Sequence, residues 1–357
     1  MEQRVKFFYG FCLFILICLL LTGWASAADI PEELERWDPE IGELTKAGLG
    51  EGVHRIWENC VEEMKSYAGS GVKAVAVMMT GVVVLGVVES AVPAGKAMLD
   101  QYVSMTGALW ITAAAAGDLN ALIGLGQKTV TEISQFSKLF LPVLASAEAA
   151  AGGITAASVR QIAAVFFADI LLTVIERLLL PAVYLYIGTA AAGAVLEGGA
   201  MERIGELLKK LISWALGALL TLFTTYLTVS GAIAGSADAQ AVRLAKSAVS
   251  AAVPVVGGIL SEAAESVLAG AGTLHSMLGT FGTLAVLACC LLPFFRLGLQ
   301  YLLYQCAALV ASAAGPPKLT KLLGLLGDAF GLVLAMTAAS ALLLIISIVS
   351  SLTAVRI

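Results

Sequence analysis

The chain has 357 residues, of which 59% are hydrophobic and only 13% charged, and its mean hydropathy is +0.92. Because a soluble domain carries about 25% charged residues to coat its surface, this composition excludes a water-soluble protein. The net charge of −5 argues against nucleic-acid binding, which needs clustered Lys and Arg. Apolar runs of about 18 residues or more can each cross a bilayer as a helix. They predict an all-α fold, a polytopic helical membrane protein with about six to eight spans.

The first 27 residues have the pattern of a cleavable signal peptide. Arg4 and Lys6 form a basic start, residues 7–21 are apolar, and Ala25-Ser26-Ala27 supplies the small residues of a cleavage site. An uncleaved first anchor is the alternative. With either interpretation, the segment that follows is expected outside the cytoplasm.

Residues 28–70 are predicted to form a short, acidic extracytoplasmic segment. Eleven acidic and four basic residues lie between Asp29 and Lys65. A helix over 53–67 is expected to be amphipathic, because four of its apolar side chains recur at spacings of three and four: Ile56, Trp57, Cys60 and Met64. The segment is too short for an independent domain, so this helix is expected on the membrane surface or against a partner.

Residues 71–357 are predicted to form a multi-span membrane domain. The segment 138–151 is short and contains Pro142, which favours a re-entrant or interfacial element. The run 162–196 is too long for one ordinary crossing and is interrupted by Glu176-Arg177 and Pro181, so a half-helix followed by a full span is expected. The apolar segments are 72–92, 99–117, 138–151, 162–196, 211–234, 278–295, 297–314 and 328–352.

Two groups of basic residues bear on the orientation of the chain. Lys318 and Lys321 precede the last span, and Arg203, Lys209 and Lys210 follow the long run. Both groups are expected on the cytoplasmic side. A simple count of the segments places them on opposite sides, so the orientation stays open at this point.

The sequence offers no pattern of an enzyme, cofactor or metal site. The two histidines, His54 and His275, lie far apart, whereas metal sites usually combine several His, Cys or carboxylate ligands. Residues 124–129 resemble a phosphate-binding loop, but Gln127 stands where the glycine before the lysine belongs. We therefore expect a non-enzymatic protein without cofactor or metal.

One set of ionisable residues lies within a predicted membrane segment. Asp169, Thr173 and Glu176 are spaced by four and three residues, which places them on one helical face, and Arg177 flanks that face. Such groups are expensive in lipid and normally face a partner or water. The stripe is interpreted either as the lining of a pathway or helix interface, or as an interfacial turn from which the arginine extends to the surface.

Residues 236–272 are predicted to form a helical hairpin of marginal hydrophobicity. Its first arm carries Arg243 and Lys246 at helical spacing. Pro254 ends that arm, because proline disrupts a helix, and Gly257-Gly258 allows a tight reversal.

The second arm of this hairpin is acidic. Ser261 is a suitable N-cap, and Glu262 and Glu265 follow in the first turns, where the helix dipole favours negative charge. A pair between Lys246 and either glutamate is left open. An interfacial or re-entrant position fits the composition of the hairpin better than two full spans.

Two motifs in this stretch carry a resemblance: Ala245-Lys246-Ser247-Ala248 and residues 253–262, which are VPVVGGILSE. The run from Ser230 to Ser266 resembles the stage III sporulation protein AE family. The signal peptide, the acidic external segment and the many helices agree with that family. The motif residues, expected to have a structural or partner-binding role, are Lys246, Pro254, Gly257, Gly258, Ser261 and Glu262.

The resemblance implies a membrane subunit of the stage III A assembly, a channel or secretion-like complex that supports late, sigma-G-dependent gene expression in the forespore. The implied location is the mother-cell membrane around the forespore. The implied partners are the lipid bilayer, other stage III A proteins and, through the complex, stage II Q. A stand-alone secondary transporter for a small solute is the alternative, because interrupted helices such as 162–196 and 231–277 often build substrate sites.

Overall fold

Six long helices dominate the described part of the chain. The computed structural model describes residues 49–91, 97–150, 166–196, 199–252 and 257–354, and no strand occurs among them. Each helix contains a stretch that is long and apolar enough to cross a membrane, which confirms the all-α fold at the lower end of the expected span number. The signal peptide and residues 28–48 of the acidic segment lie outside the described residues. The helices are α1 (Leu49–Ala91), α2 (Ala97–Ala150), α3 (Phe166–Val195), α4 (Ala200–Ala252), α5 (Gly257–Ala314) and α6 (Pro317–Ala354).

The outer surface of these helices is strongly apolar. Large side chains such as Val87, Leu207 and Trp214 are 64%, 65% and 71% exposed. A protein in water rarely exposes so much contiguous apolar surface, whereas a lipid-facing surface requires it.

Three of the predicted segments are parts of longer helices. Residues 138–150 form the last turns of α2, with Pro142 inside that helix, so the prediction of a separate re-entrant element was wrong. The segments 278–295 and 297–314 are likewise joined in α5, which contains Pro293. Membrane helices tolerate proline because neighbouring groups satisfy the freed backbone atoms. The predicted segments therefore condense to six crossings.

Helix α3 is continuous over 166–195, in contrast to the predicted half-helix and span. Residues Ile175–Leu179, which include Glu176 and Arg177, form a π-helical turn. Pro181 stands in the first turn of the α-helical part that follows, where it interrupts no hydrogen bond of that part. A π-helical turn inserts one extra residue without ending a helix.

The amphipathic part of the acidic segment is the start of α1 and does not form a separate helix. Ile56 and Cys60 are buried, and the Trp57 ring meets Phe295 of α5 edge-on, with ring centroids 5.5 Å apart. This apolar face packs against the chain's own bundle. The helix was predicted to lie on the membrane surface or against a partner protein. In the structure it packs against α5 of the same chain instead.

Helices α5 and α6 pack antiparallel through small residues. A Cβ at Gly331 would lie 3.2 Å from the Tyr301 ring, and one at Gly327 would lie 3.2 Å from Tyr304 Cβ. Glycine at these positions lets two helices approach closely, as in other small-xxx-small pairs.

Both basic groups of the sequence lie at one end of the bundle. Lys321 pairs with Glu202, which brings the start of α6 beside the start of α4. Val82 of α1 lies against Gly315 at the same end. We call this the basic end, and it carries Arg203, Lys209, Lys210, Lys318 and Lys321. The conflict in the segment count disappears, because the segments 278–295 and 297–314 form a single helix, which leaves two crossings between the two basic groups.

The two arms of the predicted hairpin continue helices α4 and α5. The membrane-crossing parts of these helices are Ala200–Tyr226 and Phe281–Ala313. The arms therefore leave the bundle at the end opposite the basic end. Residues 253–256, with Pro254, lie outside the described residues. Only the helical backbone is described at Lys246, Gly257, Gly258, Ser261 and Glu262. The hairpin therefore stays a prediction.

Candidate functional site: polar side chains inside the bundle

One face of α5 places three polar side chains inside an otherwise apolar bundle. Arg296, Gln300 and Tyr304 are four residues apart, so they share one helical face. Gln300 and Tyr304 are fully buried. An unsatisfied polar group costs several kcal/mol in a bilayer. The hydrogen-bond partners of these three side chains therefore decide whether they stabilise or destabilise the bundle.

The first partners lie on α1 and α2. Arg296 donates from Nη2 to Glu63 Oε2 at 2.8 Å, and its guanidinium lies 5.5 Å from the centroid of the Tyr67 ring, within range of a cation–π interaction. Gln300 donates from Nε2 to Asp118 Oδ2 at 2.9 Å. We call these five residues, together with Tyr304, the Asp118 cluster; it joins α1, α2 and α5.

A second group lies nearer the basic end and joins α4, α5 and α6. Lys209 donates from Nζ to Asp328 Oδ2 at 2.6 Å, and Gln305 donates from Nε2 to Asp328 Oδ1 at 3.1 Å. Tyr186 of α3 lies within electrostatic range of the same carboxylate. We call these four residues the Asp328 cluster. Its aspartate has both a cationic partner and an amide partner, so its charge is compensated.

Several buried polar atoms of the two clusters have no hydrogen-bond partner among the described residues. They are the hydroxyls of Tyr186 and Tyr304, the side-chain oxygens of Gln300 and Gln305, and Nε of Arg296. Buried polar atoms in proteins are nearly always paired, with protein, water or ions. Ordered water or a bound ion is the usual partner of such atoms.

The predicted polar stripe of α3 faces α2. Asp169 pairs with Lys138 at 2.7 Å, and Glu176 accepts a hydrogen bond from Thr131 Oγ1 at 3.2 Å. Thr173 and Arg177 are exposed. The two acids of the stripe thus lie at the α2–α3 interface, and the other two members do not join them.

Sequence reasoning missed the interior residues Asp118, Gln300, Tyr304 and Asp328. A signal was present, since Arg296, Gln300 and Tyr304 repeat every four residues within an apolar run. The partner carboxylates Glu63 and Asp118 lie more than a hundred residues away on other helices. Asp328 lies at the start of a predicted span. No local sequence pattern connects these residues with α5.

Comparison with known proteins decides the family. The family model described as stage III sporulation protein AE matches residues 40–354. The chain belongs to this family. It is also similar to stage III sporulation protein AE of Bacillus subtilis (strain 168), with 22% identity over 207 residues, 58% of this chain and 52% of that relative. The match thus spans about half the length of that relative. No solved structure matches the chain.

Family membership agrees with the resemblance in residues 230–266. The family match extends over all six described helices. Both polar clusters therefore lie within the family domain.

Proposed function

We propose that this protein is a non-enzymatic membrane subunit of the stage III A sporulation complex, a channel or secretion-like assembly between mother cell and forespore. The supporting observation is the family match over residues 40–354, which coincides with the six-span helical domain. In this proposal the protein resides in the mother-cell membrane around the forespore. It works with other stage III A proteins and, through them, with stage II Q to sustain sigma-G-dependent transcription.

The polar contacts between the helices suit a rigid, membrane-embedded part of an assembly. Four long-range polar contacts tie the helices together: Glu63–Arg296, Asp118–Gln300, Lys138–Asp169 and Lys209–Asp328. Such contacts fix the register of neighbouring helices in lipid, where apolar packing alone is weakly directional. A scaffold or conduit subunit needs this fixed geometry, and a stand-alone transporter is not favoured by the family.

Deletion of the gene tests this role. We expect vegetative growth to be normal and sporulation to stop after engulfment, with a sigma-G-dependent reporter silent in the forespore. A wild-type copy at a second locus is the control and should restore heat-resistant spores. Normal spore counts in the deletion strain would contradict the proposal.

The orientation of the bundle follows from the same proposal. With the basic end in the cytoplasm, the start of α1 and the arms of α4 and α5 lie on the extracytoplasmic side, as the signal peptide requires. This arrangement places the hairpin motif where proteins in the intermembrane space can reach it.

Cysteine labelling of intact cells tests the orientation. In a cysteine-free background, Glu58→Cys is expected to react with a membrane-impermeant maleimide, and Lys318→Cys is expected to react only after permeabilisation. Both native side chains are exposed, so the two variants are matched in accessibility. The reverse labelling pattern would overturn this orientation.

A further inference from the structure

The carboxylate of Asp118 differs from that of Asp328 in its charge balance. Asp328 pairs with Lys209 at 2.6 Å. Asp118 accepts a hydrogen bond from Gln300, but no Lys, Arg or His of the described residues forms an ion pair with it. The nearest cation of its cluster, Arg296, is paired with Glu63 instead. Asp118 is therefore a half-buried acid whose charge no side chain of the described residues neutralises.

Two side-chain oxygens of neighbouring α5 residues accept no hydrogen bond among the described residues. Gln300 presents its amide nitrogen to Asp118, and its Oε1 atom is buried without a donor. The Tyr304 hydroxyl lies beside the Gln300 side chain without a hydrogen bond of normal geometry, and both side chains are fully buried. Tyr304 and Tyr67 each lie within electrostatic range of Asp118. A buried acceptor without a donor costs about 1–3 kcal/mol, which a bound cation would offset.

We propose that Asp118, Gln300 and Tyr304 form a binding site for one monovalent cation, a proton or Na⁺, within the helix bundle. One carboxylate and neutral oxygen ligands match a single positive charge of a hard ion. A divalent ion would leave an uncompensated charge close to the Arg296 guanidinium. No group of three His, Cys, Asp or Glu side chains converges within the described helices, so the oxygen set suits neither zinc nor another transition metal.

Occupancy of this site would change how three helices hold together. Asp118 belongs to α2, and its two partners belong to α5, which also binds α1 through Arg296 and Glu63. A cation between Asp118 and the α5 oxygens therefore strengthens the α2–α5 contact. When the cation leaves, the negative charge of the Asp118 carboxylate is uncompensated at this contact. The site concerns ion binding by this chain and stands independently of the proposed sporulation role.

Carbodiimide labelling of the purified full-length protein in lipid nanodiscs tests the site. Dicyclohexylcarbodiimide adds to a protonated carboxyl group in apolar surroundings, and mass spectrometry locates the adduct. We expect labelling at Asp118 that increases as the pH falls, and none at the lysine-paired Asp328. Replacing choline chloride by NaCl at equal ionic strength separates the two ions, since protection by Na⁺ assigns a sodium site and unchanged labelling assigns a proton site.

A conservative variant separates ligand binding from packing. Tyr304→Phe removes only the hydroxyl and keeps the ring contact with Phe330, whose centroid is 5.0 Å away. We expect the half-protecting Na⁺ concentration, or the proton concentration at half-maximal labelling, to shift about three- to tenfold, the effect of one lost hydrogen bond, with an unchanged melting temperature. Absence of Asp118 labelling at every pH, or a Tyr304→Phe variant with unshifted labelling, would overturn the proposal.

Discussion

An Asp328→Ala variant is expected to lose about 2–3 kcal/mol of its free energy of unfolding. Removing the carboxylate leaves the Lys209 ammonium, now 2.6 Å from Asp328 Oδ2, without a counter-charge between α4 and α6. It also removes the acceptor of the Gln305 amide. The loss stays below the roughly 3–5 kcal/mol of a fully buried pair, because the Lys209 side chain is 37% exposed. Titration with SDS of the purified protein in mixed micelles, followed by near-UV circular dichroism, which reports tertiary packing, measures the change.

The Lys321–Glu202 pair provides a matched control at the same end of the bundle. Its side chains are 50% and 38% exposed, so Glu202→Ala is expected to cost less than about 1 kcal/mol. Exchanging Lys209 and Asp328 should recover part of the loss, because the Gln305 amide can turn its oxygen toward the new lysine. An Asp328→Ala variant that is no less stable than Glu202→Ala would show that the interior pair contributes nothing.

The fold class followed from composition because hydropathy reports directly which residues can face lipid. The span number was less certain because hydropathy does not report continuity. Arg296 separates two apolar segments in the sequence, and a charged residue there looks like a boundary. In the fold it lies within α5, where Glu63 compensates its charge from 233 positions away. Only the tertiary contact explains why the helix continues through it.

The same limit explains why the candidate site was missed. Asp118 directly follows the apolar segment 99–117, where a carboxylate is expected to reach interfacial water. The structure instead continues α2 to Ala150 and turns Asp118 toward Gln300 of α5. The hairpin motif, by contrast, is local in sequence, which is why the family could be recognised from it.

The contact between α2 and α6 is expected to depend strongly on Gly126. A Cβ at Gly126 would lie 2.3 Å from Val333 Cγ1, far inside van der Waals contact. Val333 is fully buried, and a β-branched side chain in a helix has essentially one rotamer, so it has no room to move aside. Gly126→Ala should therefore separate the two helices and cost about 1–3 kcal/mol, as other overpacked cores do.

Gly124 supplies the control on the same helix, because nothing lies within 4 Å of a Cβ placed there. Helices persist in SDS, so the intrinsic helix preference of alanine largely cancels in this assay and the packing difference remains. We expect Gly124→Ala to unfold at the wild-type SDS concentration and Gly126→Ala to unfold at a lower one. Equal midpoints for the two variants would mean that α2 and α6 are not packed as closely as this contact requires. The helix alignment that brings Asp118 to α5 would then lose its support as well.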